Sequence, residues 1–360
     1  MISVTFRRNV LLCILIAFLL LLVQNAAVTA AVLKDRLTDC LQNLIPSLFG
    51  CMVCTELLRE CGCLCAGRLS RSMGRILHLP PAALTVFAVS QIAGYPVGAM
   101  LLARESAQGT ISRENAVRFS GVCFGGGPAF LVGLAGVQLF GSAAAGWLMM
   151  TAAICSNLLL MLLMPRSPEP AHSSAAVPVV RCNAEAVTRA VRNAMHSLAG
   201  ICGAVLLFGL LTASADCLHL FGTLSGILHI PEHSLRAVVT AAADITQLPA
   251  VFHIGLPYRV LLPLTGGLLS FGGCCAQMQA CALGIKGLRL LRLTALRLLA
   301  GTITALLTSA ALPLTALPES TAVFAPTVQI SESGSVFPGM MILCVGLLAV
   351  GSGTMQHRQN

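Results

Sequence analysis

Few side chains in this chain could do chemistry, and Asp244 is the first of them. It stands in an apolar stretch, Leu235–Gly255, where a carboxylate is costly and functional by default. Its expected chemistry is binding a proton or a coupling ion, with Thr246, Gln247 and Gln91 as neutral partners. The competing reading is a cap, because the dipole of a broken helix favours an anion at its N-terminus.

A second group of residues is conformational. Ser90–Gly98 (SQIAGYPVG) sets Gly94, Tyr95, Pro96 and Gly98 inside sequence apolar enough for an unbroken helix. Gly125, Gly126, Gly127 and Pro128 interrupt a second apolar run, and Gly272 and Gly273 a third. In lipid every backbone N–H and C=O needs an internal partner, so such breaks must be buried in protein or face a watery cavity. There they would present backbone groups to a solute, with Gln277 and Gln279 just beyond the last glycines to hydrogen-bond it. The plainer alternatives are close helix packing at the glycines and bonds between helices from the glutamines, worth about 1 kcal/mol each.

Other candidates are weaker. Cys51, Cys54, Cys61 and Cys65 share one face of a helix, a pattern that suits metal ligation or redox chemistry. A packing stripe of small residues is the preferred reading, so no metal or cofactor is expected. Glu56 and Glu60, one turn apart with Arg59 beside them, read as an interfacial charge group. H-E-x-x-H, Walker and G-x-S-x-G signatures are missing, Gly222–Gly226 setting its serine one place late. An enzyme is therefore not expected, and any transport would be passive or ion-coupled.

The elements that hold these residues are membrane helices. Of 360 residues, 56% are hydrophobic and only 10% charged, against about 25% charged in a soluble domain. The net charge of +9 sits in short flanks beside apolar runs, which is membrane topology and not nucleic-acid binding. The chain reads as an all-α, polytopic helix bundle in the cell membrane, with the lipid bilayer as its first partner. Val10–Leu33, after Arg7 and Arg8, is a retained first helix or else a signal peptide cut after Ala30; retention is preferred. Further spans are expected at Leu41–Gly67, Phe119–Phe140, Ser142–Met164, Met195–Ala215, Tyr258–Gly284 and Leu293–Leu312, with a short last one at Gly339–Gly351. Pro80–Ala103 and Leu235–Gly255 enter and return.

Ala243–Pro249 echoes Ser90–Pro96, and Phe271-Gly272-Gly273 echoes Phe124-Gly125-Gly126, each about 150 residues later. The placement of Arg and Lys gives the two halves opposite orientation, with Lys34 and Arg36 as exceptions left outside. Two inverted repeats with re-entrant or broken helices are therefore expected, and such breaks point to a transporter-type site. The boundaries are a transmembrane helix in 1–40, a first repeat in 41–164, and a cytoplasmic linker in 165–193. A second, inverted repeat fills 194–312, and an outer loop with a C-terminal helix fills 313–360.

IPSLFG at Ile45–Gly50, SQIAGYPVGAMLLARESAQGTIS from Ser90, FGGGPAF at Phe124–Phe130 and LLSFGGCCAQMQ from Leu268 carry a resemblance. Together they resemble the nucleoside-recognition (Gate) domain family, and within it the sporulation integral membrane proteins of the YlbJ type. The resemblance covers about Leu41 to Gly301. It implies a role in endospore formation and two Gate-type repeats similar to those of nucleoside transporters. Where many relatives carry Ser and His after the second FGG, this chain has Cys274, Cys275, Ala276 and Gln277, so ligand contacts that rely on that His do not carry over.

Three functions stand at this point. The first is a secondary transporter or permease for a small polar solute with a coupling ion. The second is a scaffold or assembly protein for the spore envelope that transports nothing. An intramembrane enzyme ranks last, for want of a nucleophile–base pair.

Overall fold

The computed structural model describes residues 4–61, 68–77, 79–164, 183–283, 285 and 287–314, and these are helical with no strand among them. Residues 165–182 of the linker expected at 165–193, the segment Ala316–Pro338 and the last span Gly339–Gly351 lie outside the described residues.

Helix α1 (Val4–Gln24) is apolar on all sides from Val10 to Val23 and mostly exposed there, with Leu20 at 55%. A helix without a polar face suits lipid. At Asn25 the side-chain Nδ2 donates to Leu21 O at 3.0 Å, and the chain bends by 90° into α2 (Ala26–Asp39). The single helix expected in 1–40 is thus a bent pair. The boundary expected at Leu41 is absent. Helix α2 runs through a π-turn (Cys40–Leu44) into α3 (Ile45–Glu60), and widening the turn there accommodates Pro46, which has no N–H to donate. Cys40, Leu44, Leu48 and Met52, four residues apart, are buried along one stripe. Lys34 and Arg36 therefore belong to a helix rather than a loop, and Arg36 lies over Gly209.

Helix α4 (Arg68–Leu77) precedes a broken pair, α5 (Pro81–Ala93) and α6 (Val97–Ala107). Each limb is shorter than the roughly 20 residues a helix needs to cross a bilayer. Helix α7 (Arg113–Phe119) starts at Ser112, whose Oγ accepts from Asn115 N at 3.3 Å. The span expected at Phe119–Phe140 is not a crossing helix. Ser120–Pro128 is irregular, and an 11-residue π-helix, Ala129–Leu139, follows. Three glycines and a proline in series offer no side-chain packing and one N–H fewer, so no helix propagates through them.

Helix α8 (Ala143–Leu163) is capped by Ser142 and α9 (Ala184–Cys217) by Asn183. Helix α9 has 34 residues, so it starts inside the expected linker and, at 1.5 Å per residue, extends about 50 Å. Helix α10 (Leu220–Leu228) is short and was not anticipated. Helix α11 (Glu232–Ala243) stops at Asp244, and a 3₁₀ segment, Ile245–Ile254, continues. Helices α12 (Tyr258–Phe271) and α13 (Gly273–Ala282) form one 25-residue span across Gly272. Helix α14 (Leu290–Ala311) packs tightly on α12, where a Cβ on Gly301 would come within 2.7 Å of Gly267 O. Small residues allow such close backbone approach in membranes.

Among the described residues four helices are long and apolar enough to cross a membrane, five if the bent pair α1–α2 is one span. The chain is a multi-pass membrane protein.

Candidate functional site

The first break forms where glycine lets two backbones meet. Gly98, at the start of α6, has no room for a side chain: a Cβ there would lie 1.8 Å from Cys123 O. Gly94 and Gly127 also touch, a Cβ on Gly127 falling 3.2 Å from Gly94 Cα. Gly125 abuts Gln91 Oε1, and Gly126 abuts the Tyr95 ring. The structure thus brings Gln91, Gly94, Tyr95, Pro96 and Gly98 together with Gly125–Pro128, across a cis Tyr95–Pro96 peptide.

The second break is built around Asp244, which is buried at 4% exposure. Its Oδ1 accepts from Thr246 N at 3.1 Å and its Oδ2 from Thr246 Oγ1 at 2.8 Å. The carboxylate thereby caps the 3₁₀ segment, the arrangement set against ion binding in the sequence reading. Gln247 Nε2 donates to Thr246 Oγ1 at 3.3 Å, while Pro249 sits half-buried farther along the segment. A Cβ on Gly273 would lie 3.0 Å from Ile245 N, so the Gly272–Gly273 break is seated against the Asp244 break.

Gly272 joins the two. It has φ of +82°, and a Cβ there would meet Phe124 Cε1 at 2.5 Å and Tyr95 Cε1 at 3.3 Å. Beside this junction lies a cavity of about 30 Å³, lined by Tyr95, Asp244, Thr246, Gly272, Cys275 and Gln279 among others. That is room for one or two water molecules. Tyr95 stacks on Phe124 with ring centroids 5.0 Å apart, and its buried hydroxyl has no hydrogen-bond partner. Arg36 and Asp39 of α2 lie within electrostatic reach of Asp244.

Two expected placements are corrected. Gln91 does not partner Asp244: its Nε2 donates to Ser90 Oγ at 3.0 Å, and its Oε1 accepts from Asn157 Nδ2 at 3.1 Å. Gln277 bonds between helices instead of facing the cavity. It donates to Phe271 O at 3.0 Å and accepts from Thr294 Oγ1 at 2.7 Å. Gln279 does line the cavity, and its Nε2 donates to Cys275 Sγ at 3.4 Å.

The residue the sequence reading missed is Arg297, fully buried in α14. Its Nη1 donates to Gly121 O at 2.6 Å and to Asn157 Oδ1 at 2.7 Å. Its Nη2 donates to the backbone oxygen and the hydroxyl of Ser270. The guanidinium lies 5.2 Å from the centre of the Phe124 ring, and Nε has no hydrogen-bond partner. One fork thus holds the irregular run after α7, helix α8 and the end of α12. Buried polar groups need such partners, and the planar guanidinium supplies several in fixed directions. The available signal was an arginine well past the Lys286–Arg292 basic cluster, inside the apolar run of α14. An ionisable residue at that depth is a functional candidate.

At one end of the bundle Glu56, Arg59 and Glu60 form one charge group that recruits two more helices. Glu56, 1% exposed, accepts from Arg104 of α6 at 2.9 and 3.1 Å and from Arg59 at 3.0 Å. Glu60 pairs with Arg59 and accepts from Arg189 of α9 at 3.0 Å. Among the described residues no three His, Cys, Asp or Glu side chains are grouped to hold a metal. Of the cysteine stripe, Cys54 and Cys61 are described; the side chains of Cys51 and Cys65 lie outside the described residues.

Protein-family models, curated proteins and solved structures were compared with the chain, and none matches. The site therefore rests on its own geometry.

Proposed function

We propose that this protein is a secondary transporter or permease that moves a small polar solute across a membrane, with Asp244 binding a proton or coupling ion. One observation carries the reading: two helix breaks, distant in sequence, meet at Gly272 beside a cavity that contains a buried carboxylate. Broken helices exposing backbone groups near mid-bilayer are how secondary transporters build substrate and ion sites. On this reading Gly94–Gly98 and Gly125–Pro128 belong to one repeat and Asp244–Pro249 and Gly272–Gly273 to a second, inverted one. The endospore role implied by the Gate-type motifs is part of the same proposal.

The test begins in sporulating cells. Small-molecule pools are compared with and without the gene, and any solute that differs is then followed into proteoliposomes holding the purified full-length protein. Uptake that Asp244→Asn abolishes without lowering protein level supports the reading. Unchanged pools, together with a Cys275 that no membrane-impermeant thiol reagent reaches from either face, would discard it.

A scaffold without transport is the second reading, and the cavity favours it. Room for one or two waters is far below the few hundred Å³ of a typical small-molecule pocket. Transport then requires this junction to open.

A further inference from the structure

The geometry points to two ionic latches, one at each membrane face, that fasten the two broken hairpins to the same long helix. The first is Arg104–Glu56, which ties α6 to α3; α3 is in turn joined to α9 through Glu60 and Arg189. The second is Arg236–Asp216, which ties α11 to the far end of α9 through two parallel bonds of 2.8 and 2.7 Å. Arg236 is the basic residue on the first limb of the second hairpin, as Arg104 is on the second limb of the first.

Their separation sets their roles. Arg189 and Asp216 lie near opposite ends of α9, about 40 Å apart at the rise of an α-helix. The hydrocarbon core is about 30 Å thick, so the two ion pairs sit at opposite faces. Each fastens one hairpin, and the tips of both hairpins meet at Gly272 between them. Both latches are closed in the structure, and Cys275 in the cavity lining is buried. Releasing one frees its own hairpin to swing from α9 and opens the junction to that face alone. The latches are unequal. Glu56 is buried and held by two arginines, whereas the side chains of Arg236 and Asp216 are 50% and 35% exposed. The Arg236 pair is therefore the one that opens more readily.

This inference rests on the transport reading, and one experiment separates them. The full-length protein is reconstituted and exposed to a membrane-impermeant maleimide from either face, and modification of Cys275 is read by peptide mass spectrometry. Cys275 lines the cavity and is 4% exposed. Arg236→Gln raises its labelling from the outer face about two- to fivefold, the range for a half-exposed pair. Arg104→Gln raises it from the cytoplasmic face by about tenfold, since a buried pair resists opening more. The exchange Arg236→Asp with Asp216→Arg returns labelling to the wild-type rate, which mere loss of folding would not allow. Labelling that rises from the wrong face, from both faces or from neither in Arg236→Gln overturns the latches. That arm decides the question by itself should Arg104→Gln fail to fold. If both variants open as stated but no solute ever moves, the transport reading falls and the latches stand.

Discussion

Replacing Arg297 by Met keeps length and apolar bulk and removes the fork. Gly121 O, Asn157 Oδ1 and Ser270 O then lose this donor in a dry interior, while Ser270 Oγ keeps the bond it accepts from Thr304 Oγ1. Hydrogen bonds between membrane helices are worth roughly 0.6 to 1.7 kcal/mol each, so the three partners together give about 2–5 kcal/mol. The contact with the Phe124 ring adds about 1 kcal/mol. Against this stands the relief of no longer burying a cation, which is substantial in any low-dielectric site. The expected net loss is about 2–4 kcal/mol, because the orphaned carbonyls lie at both helix breaks and have few alternatives. Arg297→Lys separates charge from geometry: one ammonium cannot reach all three partners, so Lys is expected to lose nearly as much as Met. The measurement is reversible unfolding of the full-length protein in mixed micelles, with the exposed Arg292→Met of the same helix as control. An Arg297→Met variant as stable as wild type, or an Arg297→Lys variant equal to it, would refute the claim that this guanidinium pins the breaks.

Three more outcomes are expected. Gly98→Ala places a Cβ 1.8 Å from Cys123 O, a backbone atom that cannot step aside; a loss of about 3 kcal/mol or more is expected, seen as failure to accumulate in the membrane. Asp244→Asn keeps an oxygen for Thr246 N, so unfolding shifts by less than about 1 kcal/mol while ion-coupled uptake disappears; uptake at the wild-type rate would remove Asp244 from coupling. Burial works to raise the Glu60 carboxyl, but the bonds and charges of Arg189 and Arg59 outweigh it and hold it below its ordinary value of 4.5. Its contribution is therefore complete above that value and lost as pH falls through the lowered one, so Glu60→Gln should lower stability at neutral pH and converge on wild type in acid, flattening the acid limb of a stability–pH curve.

The residues that break helices were legible in the chain itself. Gly and Pro act through local backbone chemistry, so Gly94–Pro96, Gly125–Pro128 and Gly272–Gly273 could be marked as interruptions with no knowledge of their neighbours. Hydropathy marked α8, α9, the α12–α13 span and α14 for the same local reason, since about 20 apolar residues in series have one stable home. The bend at Asn25 was not legible, because a polar side chain turning back on Leu21 O competes with the helix only where packing permits. Nor was the continuous helix through Lys34, Arg36 and Asp39, where Arg36 lies against Gly209 of a helix far along the chain.

The identity of Asp244, Tyr95 and Cys275 was set by sequence, and their meeting was not. Nothing local says that Gly272 will touch Tyr95, or that Arg297 will accept burial in return for Gly121, Asn157 and Ser270. Those pairings join residues more than a hundred positions apart in several cases, and only a folded bundle sets the distances on which hydrogen bonds and desolvation depend. Composition and spacing determined that this chain lives in a membrane and where its helices must fail. Tertiary packing decided which failures face one another and which charge holds them there.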